Sequence, residues 1–220
     1  MENKSTHFTF DGEKIVISPD LILIINFLQE IEKEIKSFLS FNHCTRSKII
    51  ILFANLETLL RLNFAYENKI TDGEKIRKLT MKQEVWRSFY DDFCLNKNNK
   101  WVKANSERAT HITAEELRYL RNSLTHFFSL DEGLQIADNL LNNKLRRLEA
   151  KTNFKAKFIS PEDLYENIKG AAKLMIEKWN EDCKKSLRKN SDEFKEKILA
   201  VNKLIKNCGV IVVKGEQIDI

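Results

Sequence analysis

The spacing of apolar residues along the chain changes from alternation to helical periodicity and back again. The opening segment His7-Phe8-Thr9-Phe10-Asp11-Gly12-Glu13-Lys14-Ile15-Val16-Ile17 carries alternating or β-branched residues on both sides of Asp-Gly. That dipeptide accepts the positive φ angles of a tight hairpin turn, so a small β-hairpin is predicted over 1–18. Ser18-Pro19-Asp20 then supplies a capping hydroxyl, a first-turn proline and an acid at a helix start. Apolar residues at helical spacing follow to about Phe41, the first long helix. A second runs from about Arg46 to Glu67, so rich in Ile, Leu and Phe that it is expected to be the central, most buried element. Within it Glu57 and Arg61 stand one turn apart, the spacing of a helical ion pair.

Thr71-Asp72-Gly73-Glu74 has the form of a capping box and predicts a helix to about Phe93. The Asn- and Lys-rich stretch from Asn96 to Ser106 lacks apolar period and reads as an exposed loop. Thr113-Ala114-Glu115-Glu116 is a second capping box. Ser160-Pro161-Glu162-Asp163 opens a helix to about Lys189, and Ser191-Asp192-Glu193 opens a last one to about Lys206. The tail, Val210 to Ile220, repeats the hairpin grammar around Lys214-Gly215, and the two ends have the pattern to pair into one small sheet. The expected fold is therefore all-α with small terminal β-hairpins. Its parts are an N-terminal hairpin over 1–18, a helical domain over 19–206 with a C-terminal helical extension from about 160, and a C-terminal hairpin over 207–220.

Composition agrees with this reading and narrows the partners. With 6 Gly and 2 Pro in 220 residues, turns are too few for a sandwich or barrel, while 42% hydrophobic residues and 14 Phe suffice for one core. A net charge of +5 permits an acidic partner such as RNA without demanding one. Cys44, Cys94, Cys183 and Cys208 are dispersed, with no C-x-x-C pair, and read as free thiols of a reducing cytosol. His43 and Cys44 are adjacent and point apart, so neither a metal nor a cofactor is expected. Met1 to Thr6 is polar, without a signal pattern, which predicts a cytoplasmic protein. The apolar runs Leu21–Ile25 and Ile49–Ala54 fall short of the ~20 residues of a membrane span and read as core helix. No phosphate-binding glycine loop, G-x-S-x-G elbow, H-E-x-x-H pair or acidic metal-nuclease cluster is evident.

The helix opened by Thr113 carries the residues with chemistry. Wound at ~100° per residue, it gathers Leu117, Leu120, Leu124, Phe127 and Phe128 into an apolar stripe. His126 falls roughly opposite, with Arg118, Asn122 and Thr125, and Arg121 lies on the stripe's edge. A ring that titrates near neutral pH, a fixed cation and an amide within two turns are the groups needed to cleave RNA. RNA brings its own nucleophile, the 2′-hydroxyl. A cleaving protein must remove that proton, offset charge on the phosphate and protonate the leaving oxygen. Histidine suits the proton steps, and the planar, permanently charged fork of arginine suits the phosphate. Arg121 and His126 are about 140° apart around the helix axis, so one copy does not converge them neatly. An isologous dimer placing two such helices together would build a cleft with a histidine on each side.

Arg-Asn-x-x-x-His, set in Glu115-Glu116-Leu117-Arg118-Tyr119-Leu120-Arg121-Asn122-Ser123-Leu124-Thr125-His126-Phe127-Phe128, resembles the HEPN superfamily of all-α domains. The resemblance takes in the helix order from about Leu21 to Leu130 and the apolar second helix containing Leu56-Glu57-Thr58-Leu59-Leu60-Arg61. It implies a HEPN-like helical bundle that dimerises with the motif at the interface. It also implies metal-independent endoribonuclease activity, as in many members from toxin–antitoxin, phage-defence and CRISPR systems. By the same resemblance Arg121 would bind the scissile phosphate, His126 would be the acid/base and Asn122 would orient the motif. A cognate antitoxin protein would be a partner. Arg118 is added as an RNA contact from the helical wheel. The terminal hairpins and the helices after Ser160 are not part of the family's minimal domain.

Two basic stretches offer further RNA contacts. Lys144, Arg146, Arg147, Lys151, Lys155 and Lys157 interleave with Phe154 and Phe158, either to track an RNA backbone or as a solvated connector. Lys97, Lys100 and Lys103 surround Trp101, either a base-stacking platform or an ordinary exposed loop. His111 reads as polar filler before a cap, and His7 as structural. The alternatives to an enzyme are a non-catalytic dimeric HEPN-like module that binds RNA or a protein, and a helical bundle in which the motif is a chance string.

Overall fold

The computed structural model describes residues 6–10, 13–40, 45–105, 113–126, 134–136, 157–189 and 192–207. The Asp11-Gly12 turn, His43, Cys44, His111, Phe127, Phe128, Arg146, Arg147, the rest of the basic stretch before Lys157, Cys208 and the C-terminal hairpin lie outside them.

β1 (Thr6–Phe10) and β2 (Glu13–Ile17) pair antiparallel, with Thr6 opposite Ile17 and Phe10 opposite Glu13. Ser18 then caps a 3₁₀ turn, Pro19–Leu21, its hydroxyl accepting from the Asp20 N–H at 3.4 Å. The chain runs on into α1 (Ile22–Leu39), which buries Ile24, Ile25, Phe27, Leu28 and Ile35. α2 (Thr45–Asn68) ends where Lys69 takes a left-handed φ of 54°. It buries Ile49, Leu52, Phe53, Leu56, Leu59, Leu60, Leu62, Ala65 and Tyr66, which cover more than half of its circumference. As a whole helix, Arg46–Asn68 is long and apolar enough to cross a membrane by length and composition, which the short unbroken runs did not suggest. In the fold it is the core helix.

The helix expected from Thr71 to Phe93 is broken, and its cap is shifted by one residue. Asp72, not Thr71, is the cap, its Oδ1 accepting from the N–H groups of Glu74 at 2.9 Å and Lys75 at 3.0 Å. α3 (Gly73–Thr80) ends where Lys82 turns extended, with ψ 140°, and its last residue, Thr80, bonds its hydroxyl back to the Ile76 carbonyl at 2.9 Å. α4 (Gln83–Phe89) starts afresh and ends in a π turn, Tyr90–Cys94. The stretch after Asn96 keeps Lys97, Lys100 and Lys103 exposed, as its composition suggests, but it is not all loop. Asn99 is fully buried, donates to the carbonyls of Phe93 and Asn167 at 3.0 Å each, and caps a short helix, α5 (Lys100–Ala104). A carboxamide that ties separate segments together escapes a reading based on apolar periodicity.

α6 (Ala114–His126) carries the motif. A parallel strand pair, β3 (Leu134–Ile136) with β4 (Lys157–Ile159), was not indicated by the apolar spacing. α7 (Pro161–Lys189) starts from Ser160, whose hydroxyl accepts from the Asp163 N–H at 3.0 Å, and α8 (Glu193–Asn207) follows. Both belong to the same core as α1 and α2: Trp179 of α7 stacks on Tyr66 of α2 at 4.6 Å between ring centres, and Phe194 of α8 meets the edge of Tyr66. The described structure is thus predominantly helical. α2 is covered by α1, α3, α4, α6, α7 and α8.

Candidate functional site

Local interactions fix how α6 is presented. At its start the Thr113 N–H donates to Glu116 Oε2 at 2.7 Å and the Glu116 N–H donates to Thr113 Oγ1 at 3.2 Å, a reciprocal capping box. Ala114 and Leu117 are buried, and the indole N–H of Trp86 on α4 donates to the Ala114 carbonyl at 3.1 Å. The first turn of α6 is therefore pinned to α4, and its next turns pass over α2.

That passage brings Arg121 to Glu57. The Arg121 Nε donates to Glu57 Oε1 in a short contact, both side chains being only 14% exposed, and Arg121 Nη1 donates to Asn122 Oδ1 at 2.9 Å. The other carboxylate oxygen, Glu57 Oε2, accepts from Arg61 Nη2 at 3.2 Å. One carboxylate on α2 thus holds a guanidinium from its own helix and one from the motif helix. A turn earlier on α6, Arg118 Nη2 donates to the Met81 carbonyl at 3.2 Å, satisfying an acceptor at the end of α3.

These groups line a cleft of about 400 Å³. Arg61, Arg118 and Arg121 with Glu57 and Asn122 make its polar side, and Leu60, Met81 and Trp86 its apolar side. Three guanidinium groups against one carboxylate leave it cationic, the setting for an anion with a forked pair of oxygens. Among the described residues no three His, Cys, Asp or Glu side chains gather as a metal-ligand set.

Of the residues singled out from the sequence, the structure brings Arg118, Arg121 and Asn122 to this cleft. The backbone of His126 continues α6 five residues beyond Arg121, about 7.5 Å along the axis. The side chains of His126, Leu120 and Leu124 lie outside the described residues. Lys100, Trp101 and Lys103 are elsewhere, on α5, which packs on α7. Trp101 is half-buried with its indole N–H donating to Asp163 Oδ1 at 3.2 Å, so it is not the fully exposed ring that base stacking from a loop supposes. Arg146 and Arg147 lie outside the described residues. Sequence reasoning passed over Arg61, Met81 and Trp86 as site residues and read Glu57 only as the partner of Arg61. The signal it had was two charged residues one turn apart inside an otherwise apolar helix. No protein-family model, no curated protein and no solved structure matches this chain.

Proposed function

We propose that this chain is a metal-independent endoribonuclease of the HEPN type, acting on RNA at a composite site across a homodimer. The observation that carries the reading is the arginine-lined cleft in which Arg121 and Asn122 of the Arg-Asn-x-x-x-His string sit side by side. Arg121 grips the scissile phosphate. A histidine, His126, takes the proton from the 2′-hydroxyl as that oxygen bonds to phosphorus, and the P–O5′ bond breaks. The leaving 5′-oxygen receives a proton from the opposing His126 of the second copy. The products are a 2′,3′-cyclic phosphate and a 5′-hydroxyl, and no further reactant is consumed. Asn122 orients Arg121 through the amide oxygen that the guanidinium already contacts. The setting we infer is toxin–antitoxin or phage defence in the cytoplasm, with an antitoxin protein as second partner.

The test is incubation of the purified protein with mixed single-stranded RNA in EDTA. Wild type is expected to cleave and His126→Ala to lose activity by at least a hundredfold. Equal cleavage by the variant contradicts the reading. One observation favours a second reading, a non-catalytic dimeric module that binds RNA or protein: Glu57 already neutralises Arg121. That reading predicts RNA retention with no product ends.

A further inference from the structure

We propose that the cleft is a one-nucleotide subsite for single-stranded RNA, its phosphate held by Arg61 and Arg118 beside Arg121 and its base set against Met81. This rests on the RNA-directed reading above and assigns substrate contacts to residues outside the motif.

The first support is the way Glu57 is held. Its two oxygens are taken up by two different guanidiniums, Arg61 and Arg121. The cleft therefore already holds one oxyanion between cations of α2 and α6, and an incoming phosphate is seated beside Glu57 and not in its place. The second is charge. Arg118 joins them at the rim, and the cleft keeps an excess of two positive charges after Glu57 is counted. The third is the apolar part of the lining. Met81 is half exposed, whereas Leu60 and Trp86 behind it are 2% and 5% exposed and belong to the core, the Trp86 N–H being spent on Ala114. The Thr80 hydroxyl is likewise directed at the Ile76 carbonyl. Met81 is thus the apolar contact this wall offers, and a thioether set against the face of a base tolerates any of the four. The fourth is size: about 400 Å³ falls in the range of roughly 300–1,000 Å³ typical of small-molecule sites. Arg121 belongs to both the cleft and the motif, so a nucleotide seated here is the neighbour of the phosphate to be cut.

The test uses a fluorescent single-stranded oligonucleotide with every 2′-hydroxyl methylated, which binds and is not cleaved. Affinity for the full chain is measured over a range of salt, with melting midpoints alongside. Arg61→Gln and Arg118→Gln are each expected to weaken binding about tenfold and to lower the salt slope by about one. Arg61→Lys, which keeps the charge, is expected to retain that slope. Met81→Ala is expected to weaken binding roughly threefold with the slope unchanged. Binding and slope unaltered in both glutamine variants overturn the proposal, as does an absence of binding by wild type. Competition with 5′-adenosine monophosphate and with inorganic phosphate separates the sources of the anion. The oligonucleotide is expected to bind at least tenfold more tightly than either, and equal binding of the free nucleotide overturns the assignment to RNA. Because the probe is inert, a protein that binds it as described and yet never cleaves RNA would refute the nuclease reading alone.

Discussion

Glu57 contacts Arg61 through one carboxylate oxygen and Arg121 through the other, so a single side chain on the core helix sets the position of the arginine in the motif. The pair with Arg121 is mostly shielded from water, where removing one partner strands the other. The same carboxylate stands where an incoming phosphate would be repelled. Stability and ligand binding therefore pull in opposite directions at this residue.

Glu57→Gln separates the two effects. The variant should lose about 1–3 kcal/mol of stability in urea titrations, less than a fully buried pair because Arg61 is partly solvated. It should bind a non-cleavable oligonucleotide roughly threefold more tightly, since one negative charge has left the cleft. It should also cleave more slowly, because Arg121 loses its charged partner and is held less firmly, by Asn122 and a neutral amide. Weaker binding by a folded Glu57→Gln protein would contradict this account of the cleft.

Asn99 and Gly170 make a separate structural lock. A Cβ added at Gly170 would stand 2.2 Å from Asn99 Oδ1, so only glycine admits the buried carboxamide. Asn99→Ala leaves the Phe93 and Asn167 carbonyls without this donor and is expected to destabilise by roughly 1–3 kcal/mol per orphaned group. Gly170→Ala should be destabilising by a similar amount, and the double variant should cost less than the sum of the two. Denaturant unfolding of the three proteins checks this; additive effects would argue against a shared contact.

Alkaline pH should weaken the fold. Burial raises the Tyr66 hydroxyl, helped by the charge of Asp182, to which it donates a hydrogen bond at 3.1 Å. Burial likewise raises the Tyr90 hydroxyl and the Cys94 thiol. For a group whose folded pKa lies above its unfolded value, the stabilisation is complete below the unfolded value and is lost as pH rises past it. Unfolded thiols titrate near about 8.5 and phenols near about 10, so the unfolding midpoint in urea should fall between pH 8 and pH 10.5. A midpoint that stays level over that interval would contradict the burial of these groups.

Much of the helical framework was legible because start signals are local. Ser18, Thr113 and Ser160 cap where their spacing to the next acid or proline indicated, and the wide apolar face of α2 marked it as central. The break at Met81-Lys82 was not legible, because the Met81 carbonyl it frees is taken by Arg118 from another helix. The burial of Asn99 was hidden for the same reason, since its partners lie in the π turn and in α7. At the site, the Arg121–Asn122 neighbourhood is visible in the string itself. Arg61 and Trp86 enter only when α2, α4 and α6 are packed together, a relationship no single-helix wheel contains.

The central claim is that His126 performs proton transfer in cutting RNA at a site built with Arg121. It is tested most directly by the chemistry of the ends produced from single-stranded RNA in EDTA by wild type and by His126→Ala. Wild type is expected to leave 2′,3′-cyclic phosphate and 5′-hydroxyl ends, and the variant to lose both. RNA left intact by folded wild-type protein, or the same ends at the same rate from His126→Ala, would contradict it.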